Sequence, residues 1–367
     1  MAGQGDPRVA YCSAEDVRDA LDIAPTAIAA RKVSRAIMGA AGFVEGELNR
    51  RFYAELDTRY FDWPINYQYA APWRLWLDSD EVWSATSIQT GLQRNPDGTL
   101  SVTPTTQTLL LGRDFLLRPE NVGPPYSHIE IIVSGHSMWS PADGTWQQAI
   151  AVNGEFGGCG DVEPAGQLKG ALTSSGTSIT VTDSSTVGTL DTIYVDSEWM
   201  TVASKSMTST SQVLAADLPA SAAATVLTTF GGAWTEGETL LVDGERMRVQ
   251  DVAGINLVVK RAQDGTPLAA HSTGTLIWAP RQLNLTRGVL GTVPAAHASN
   301  APVQRLAVPD LVRNLSIAKA VTNILQDSSG WTTSKGQEAR VTAVRELNDL
   351  ANDAYTRWAR QSRTRAV

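Results

Sequence analysis

Thr192-Ile193-Tyr194-Val195-Asp196-Ser197-Glu198-Trp199-Met200-Thr201-Val202 recurs 47 positions later as Thr239-Leu240-Leu241-Val242-Asp243-Gly244-Glu245-Arg246-Met247-Arg248-Val249. In the second copy, Leu240 and Val242 share one parity, and Met247 and Val249 have the other. A straight strand would send the two pairs to opposite faces. A two-residue turn at Asp243-Gly244 pairs Val242 with Glu245 and Leu240 with Met247, which returns all four side chains to one face. Asp196-Ser197 does the same for Ile193, Val195, Met200 and Val202. Each copy therefore reads as a β-hairpin with one apolar face.

A second block repeats at a different offset. Arg261-Ala262-Gln263-Asp264-Gly265-Thr266 with His271 returns 26 positions on as Arg287-Gly288-Val289-Leu290-Gly291-Thr292 with His297. Two tandem modules would alternate hairpin and Arg/His block. The order here is hairpin, hairpin, block, block. It predicts a duplicated β-module at 164–308 with one copy nested inside the other; an exchange of strands between adjacent modules is the alternative.

The repeated Glu198, Glu245, His271 and His297 have the chemistry of metal ligands or acid–base groups. However, each copy supplies one Glu and one His, as duplicated architecture does without any shared site. The structural reading pairs each Glu with Arg261 or Arg287, or with its module's His, and places Met200 and Met247 on the apolar faces. The Gly-x-x-Gly-Thr turns are not phosphate loops, because no Lys-Ser/Thr follows them to open a helix. No Gly-x-Ser-x-Gly elbow occurs, and His128 and His136 flank a strand without a nucleophile pattern. The expectation is a protein that is not an enzyme and has no cofactor and no metal.

Outward from the repeat, the 367 residues suffice for two or three domains, and 43% apolar content with 11 tryptophans can furnish their cores. Ser13 reads as a helix N-cap with Glu15 and Asp16 in the first turn. That helix is expected to stop near Ile23, and a longer one to run from Thr26 to Asn49. Period-2 segments at 58–61, 73–77, 114–117, 128–133 and 148–156 predict a small β-domain over 54–163. The aromatic run from Tyr60 to Trp83 reads as strand core, or alternatively as a sugar-binding platform. Pro309 opens a helix with Leu311, Leu315, Ala318, Ile324 and Leu325 on one face. A last helix spans 334–362, with Val344, Leu347, Ala351, Ala354 and Trp358 as its stripe. The expected fold is α+β: helices of 1–53 and 309–367 form a bundle, from which the β-domain and the duplicated module project.

Charge narrows the function. The chain carries −8 overall, which argues against a protein whose task is to grip DNA phosphates. From Lys335 onward seven basic residues meet four acidic ones, so a basic end sits on an acidic body, a pattern of partner contacts. The opening residues are polar, so no secretory signal is expected, and no apolar run suggests a transmembrane helix or a membrane partner. Cys12 and Cys159 lie far apart, which fits assembly in a reducing cytoplasm better than a disulfide framework.

Several segments together resemble the head-to-tail connector proteins (adaptors, or head completion proteins) of long-tailed, siphovirus-type actinobacteriophages. They are Tyr11-Cys12-Ser13-Ala14-Glu15-Asp16-Val17 at the first helix, Arg50-Arg51-Phe52-Tyr53 after the second, Gln148 to Gly157 followed by Pro164, and Val308-Pro309-Asp310-Leu311-Val312. The Glu-x-Met hairpin with its later Arg-Gly-x-x-Gly-Thr and His resembles a β-module of the same group. The resemblance implies a virion structural protein assembled in the host cytoplasm. It would form a homo-oligomeric ring of about twelve subunits between the portal and a stopper or tail-terminator protein. Double-stranded DNA would pass through its channel without specific binding, and the 164–308 insert, which small adaptors lack, could contact the major capsid protein. In such proteins the C-terminal segment engages the portal. That role falls on Tyr355, Arg357, Trp358, Arg360, Arg363 and Arg365, aromatic and Arg side chains of the kind that anchor interfaces. A stopper or tail protein, or a carbohydrate-binding β-module protein, is the alternative.

Overall fold

The computed structural model describes residues 9–22, 27–63, 73–77, 80–132, 139, 146–327 and 334–360, with backbone alone over 334–343. The chain divides into two compact units, Asn49–Asp161 with Arg360–Val367, and Met1–Leu48 with Val162–Ala359.

The smaller unit is built of antiparallel strands β1 (Ala54–Phe61), β2 (Arg74–Trp76), β3 (Val82–Thr90), β4 (Gln93–Arg94), β5 (Leu100–Ser101), β6 (Gln107–Leu109), β7 (Phe115–Arg118), β8 (His128–Ile131) and β9 (Ile150–Gly157). One sheet has the order β1-β9-β3-β6, another β2-β8-β7, and β4-β5 is a hairpin. Alternation sends Leu75, Ile88, Phe115, Leu117, Ile129, Ile150, Val152 and Phe156 into a common core. Strands β3 and β9 approach so closely that a Cβ on Gly154 would sit 2.2 Å from the Ser84 carbonyl oxygen, so only glycine fits there. Of the aromatic run, Phe61 and Trp63 pack against this core, with the Phe61 ring 6.4 Å from that of Phe156. Tyr60 and Trp73 are exposed, and Trp76 stacks on His128 at 4.2 Å. Residues 64–72 and His136 lie outside the described residues.

The larger unit contains α1 (Ala14–Leu21), α2 (Ala30–Leu48), β10 (Val162–Gln167), β11 (Ser178–Thr180), β12 (Thr192–Val195), β13 (Glu198–Val213), β14 (Val226–Thr228), β15 (Thr239–Val242), β16 (Glu245–Ala253), β17 (Asn256–Gln263), β18 (Leu276–Val289), β19 (Pro302–Leu306), α3 (Asp310–Gln326) and α4 (Ser334–Trp358). The hairpins β12-β13 and β15-β16 pair Val195 with Glu198 and Val242 with Glu245, the register of a two-residue turn. Asp196 and Asp243 take the left-handed conformation that such turns require (φ 52° for both).

Two long strands, β13 of 16 residues and β18 of 14, lie side by side and serve both modules. The host module is β10-β19-β12-β13-β18-β11. It closes on itself where Lys169 N–H donates to Thr180 O and Thr182 N–H to Gln167 O. The second module uses the far ends of the same two strands with β15, β16, β17 and β14, and closes where Ala215 N–H donates to Thr228 O. It is inserted between Ser206 and Gln282, which are themselves paired. Each module fills its interior with equivalent residues: Ile193, Val195, Met200, Val202 and Leu283 in one, Leu240, Val242, Met247, Val249 and Leu257 in the other.

The expectation of an α+β molecule organised on a bundle of terminal helices is corrected here. Among the described residues strands hold 40% and helices 20%, and large antiparallel sheets predominate in place of a bundle of terminal helices. The four α-helices among the described residues are the minor component. Helix α1 has a capping box, with Ser13 and Asp16 bonding each other's backbone N–H. It is fastened to the β-modules: Ala14 N–H donates to Thr189 O (2.9 Å), Glu15 accepts from Thr189, and Asp19 pairs with Arg248 (3.1 Å). Ala320 and Ile324 of α3 pack among Val17, Val33, Ile37 and Ala40 of α1 and α2. The modules thus do not project from a helical body; helices are laid on a β body.

Candidate functional site

Each hairpin turn places its glutamate at the start of the returning strand, pointing inward, where both oxygens are buried. Glu198 accepts from Arg287 Nε (2.7 Å) and Nη2 (2.6 Å), from the N–H groups of Gly288 (3.0 Å) and Ala295 (2.9 Å), and faces His297 Nε2 at 2.9 Å. Glu245 repeats the pattern with Arg261 Nε and Nη2 (2.7 Å each), Ala262 N–H (2.9 Å), Ala269 N–H (3.0 Å) and His271 Nε2 (3.0 Å). The other ring nitrogen of each histidine meets the turn aspartate, His297 with Asp196 at 2.8 Å and His271 with Asp243 at 2.7 Å. The arginines spend their remaining N–H groups on carbonyls, Arg287 on Thr173, Gly176 and Ala295, and Arg261 on Pro219, Ala224 and Ala269.

Burial pushes both glutamates up, but the arginine, backbone N–H and histidine donors outweigh it and hold each carboxyl at about 2. Five donors surround a group with about four lone-pair sites, so neither carboxylate has an oxygen lone pair to spare for a metal or a proton acceptor's task. Each cluster is closed within its own module. It ties the hairpin turn, the Arg-bearing strand and the His-bearing loop together. Its chemistry is that of a structural clasp.

The structure brings Glu198, Arg287 and His297 together, and likewise Glu245, Arg261 and His271, with Met200 and Met247 fully buried in the adjoining cores. The C-terminal residues are differently placed. Leu347, Ala351 and Ala354 of α4 are buried, whereas Tyr355 is 60% exposed. Arg357 is exposed, and Trp358 and Arg360 are half-buried. Arg363 and Arg365 lie outside the described residues.

Sequence reasoning missed three polar centres. Asp196 and Asp243 repeat at the same offset as the glutamates, a signal that was available. Glu238 binds Arg281 in a further bidentate pair (2.7 and 2.6 Å) with Ser184 on the same carboxylate, and Asp191 stands at the same 47-residue offset from it, a second acidic repeat that was available. Asp191 is buried, accepts the Gly188 N–H at 2.7 Å and lies 3.5 Å from Arg305. Burial pushes its carboxyl up to about 6 against the opposing pull of Arg305.

No family model matches the chain, and no curated protein matches it in sequence.

Proposed function

We propose that the protein is a structural component of a long-tailed phage virion, the head-to-tail adaptor that sits as a ring between the portal and the next tail-proximal protein. The observation that carries this reading is the ion pair between Asp16 and Arg313 at 2.8 Å. It fastens the first of the segments on which the adaptor resemblance rests, Tyr11–Val17, to the residue that follows another, Val308–Val312, although the two partners lie 297 residues apart. A second fact supports a role in assembly over one in chemistry: both repeated Glu/Arg/His clusters are consumed by internal bonds. On this reading the exposed end of α4 with Tyr355 and Arg357, followed by the basic tail, is the portal contact, and an acidic body lets DNA pass without gripping it.

Electron microscopy of virions decorated with an antibody against the nested module tests the proposal. Label at the head–tail junction is the expected result. Label along the tail or at its tip would assign the chain to a tail component instead, and unlabelled virions would remove it from the particle.

A further inference from the structure

Within the larger unit, a cleft of about 490 Å³ opens between α1, the long paired strands and the second module. Most charged groups around it are already matched. Glu15 takes the N–H and hydroxyl of Thr189 on its two oxygens (2.6 and 3.0 Å), and Glu238 is held by Arg281 and Ser184. Asp19 pairs with Arg248 at 3.1 Å and Asp264 with Arg246 at 3.0 Å. Two lining cations are left over. Lys205 donates to the carbonyl oxygens of Ser184 (2.8 Å) and Val187 but pairs with no carboxylate among the described residues. Arg18 has a buried Nε with no hydrogen-bond acceptor and likewise makes no ion pair among the described residues. The lining holds four cations and four carboxylates, and Arg281, which binds Glu238 from outside the lining, leaves one positive charge in excess.

A buried guanidinium N–H without an acceptor is an unfavourable arrangement that an oxygen ligand relieves. The guanidinium fork matches a pair of oxygens on one group, and an ammonium adds a point charge beside it. We infer that the cleft is a binding site for a small oxyanion, a phosphate or a carboxylate, held by Arg18 and Lys205. The site is independent of the adaptor reading and of the two Glu/Arg/His clusters.

Calorimetric titration of the full chain with sodium phosphate, and separately with sodium succinate, at fixed ionic strength distinguishes the tetrahedral from the planar anion. The expected result is saturable binding of one anion per chain. Arg18→Met and Lys205→Met should each weaken it about tenfold or more, the loss expected for one charge-assisted contact. Arg18→Lys, which keeps the charge and removes the fork, should fall between. Lys260→Met, at an exposed lysine outside the cleft, should bind as the parent does. Circular dichroism checks that each variant is folded; if Arg18→Met is not, Lys205→Met decides. Absence of saturable binding for both anions, or parental affinity in a folded Arg18→Met or Lys205→Met protein, overturns the inference.

Discussion

Glu198 and Arg287 stand 89 residues apart in the chain and meet in a bidentate pair, at 2.7 and 2.6 Å, across the whole inserted module. Their counterparts Glu245 and Arg261 are separated by only 16 residues. Closing the longer loop costs more chain entropy unless the intervening segment is already compact. The inserted module is therefore expected to fold first and to bring the host module's halves together. Pulsed hydrogen exchange during refolding should protect the amides of Leu240 and Met247 before those of Ile193 and Met200. Simultaneous protection, or the reverse order, contradicts this.

Removing one partner of a buried ion pair leaves the other unpaired, at a cost of about 3–5 kcal/mol. Glu198→Gln and Glu245→Gln should each destabilise by this order, and Arg287→Met with Glu198→Leu by less than Arg287→Met alone, because no charge is left buried. Chemical denaturation of the four variants beside the parent gives the comparison. A Glu198→Gln loss below about 1 kcal/mol, the range of an exposed pair, would show that the clasp contributes little.

The repeated hairpins were legible because a two-residue turn leaves a parity signature: Leu240 and Val242 against Met247 and Val249. The continuation of those hairpins into the long strands was not. Beyond Val202, β13 runs through Ser204, Ser206, Thr208, Ser209 and Gln212, with several register shifts against β18, so no apolar alternation marks it. That omission underlies the expectation of a helical body, since short hairpins look like appendages where continuous strands look like a frame. Strand β3 escaped for a related reason: its apolar positions Val82, Ala85 and Ile88 fall three apart because bulges interrupt the pleat. On α3 the expected Leu315 and Ile324 are buried, but Leu311, Ala318 and Leu325 are only half-buried, and Val312, Ser316 and Ala320 complete the buried face instead. At the clusters, Glu, Arg and His were visible as repeated residue types, but no sequence pattern specified that their lone pairs and N–H groups are all used.

Acid should act on the two kinds of buried carboxyl in opposite directions. Glu198 and Glu245, held at about 2, lie below the unfolded glutamate value of about 4.3. Their stabilisation is complete above that value and is lost as pH falls toward 2. Asp191, raised to about 6, lies above the unfolded aspartate value of about 3.9. It costs stability above pH 6, and the cost disappears as it protonates between about 6 and 4. Asp191→Asn should therefore flatten the stability profile between about pH 4 and 6 and leave the decline below 4 intact. An unchanged upper limb in Asp191→Asn would show that Asp191 does not titrate there.

The second module should be removable. Ser206 and Gln282 are cross-strand partners, so replacing 207–281 by a two-residue Asn-Gly turn closes the host module with the turn that its twist favours. The host core of Ile193, Val195, Met200, Val202, Leu283 and Val303 contains no residue of the excised segment. The shortened chain should unfold cooperatively in a thermal scan. A chain lacking a cooperative transition would mean that the host module depends on its insert.

On the proposed reading, the chain joins heads to tails through the end of α4. Truncation after Ala354 removes Tyr355, Arg357, Trp358, Arg360, Arg363 and Arg365 while keeping the buried Leu347, Ala351 and Ala354. Co-sedimentation with purified, tailless, portal-bearing heads compares the full and truncated chains directly. The full chain is expected to bind at the portal vertex, and the truncated chain, folded by circular dichroism, to be left in the supernatant. Failure of the full chain to bind heads, or binding of both at the same level, would contradict it.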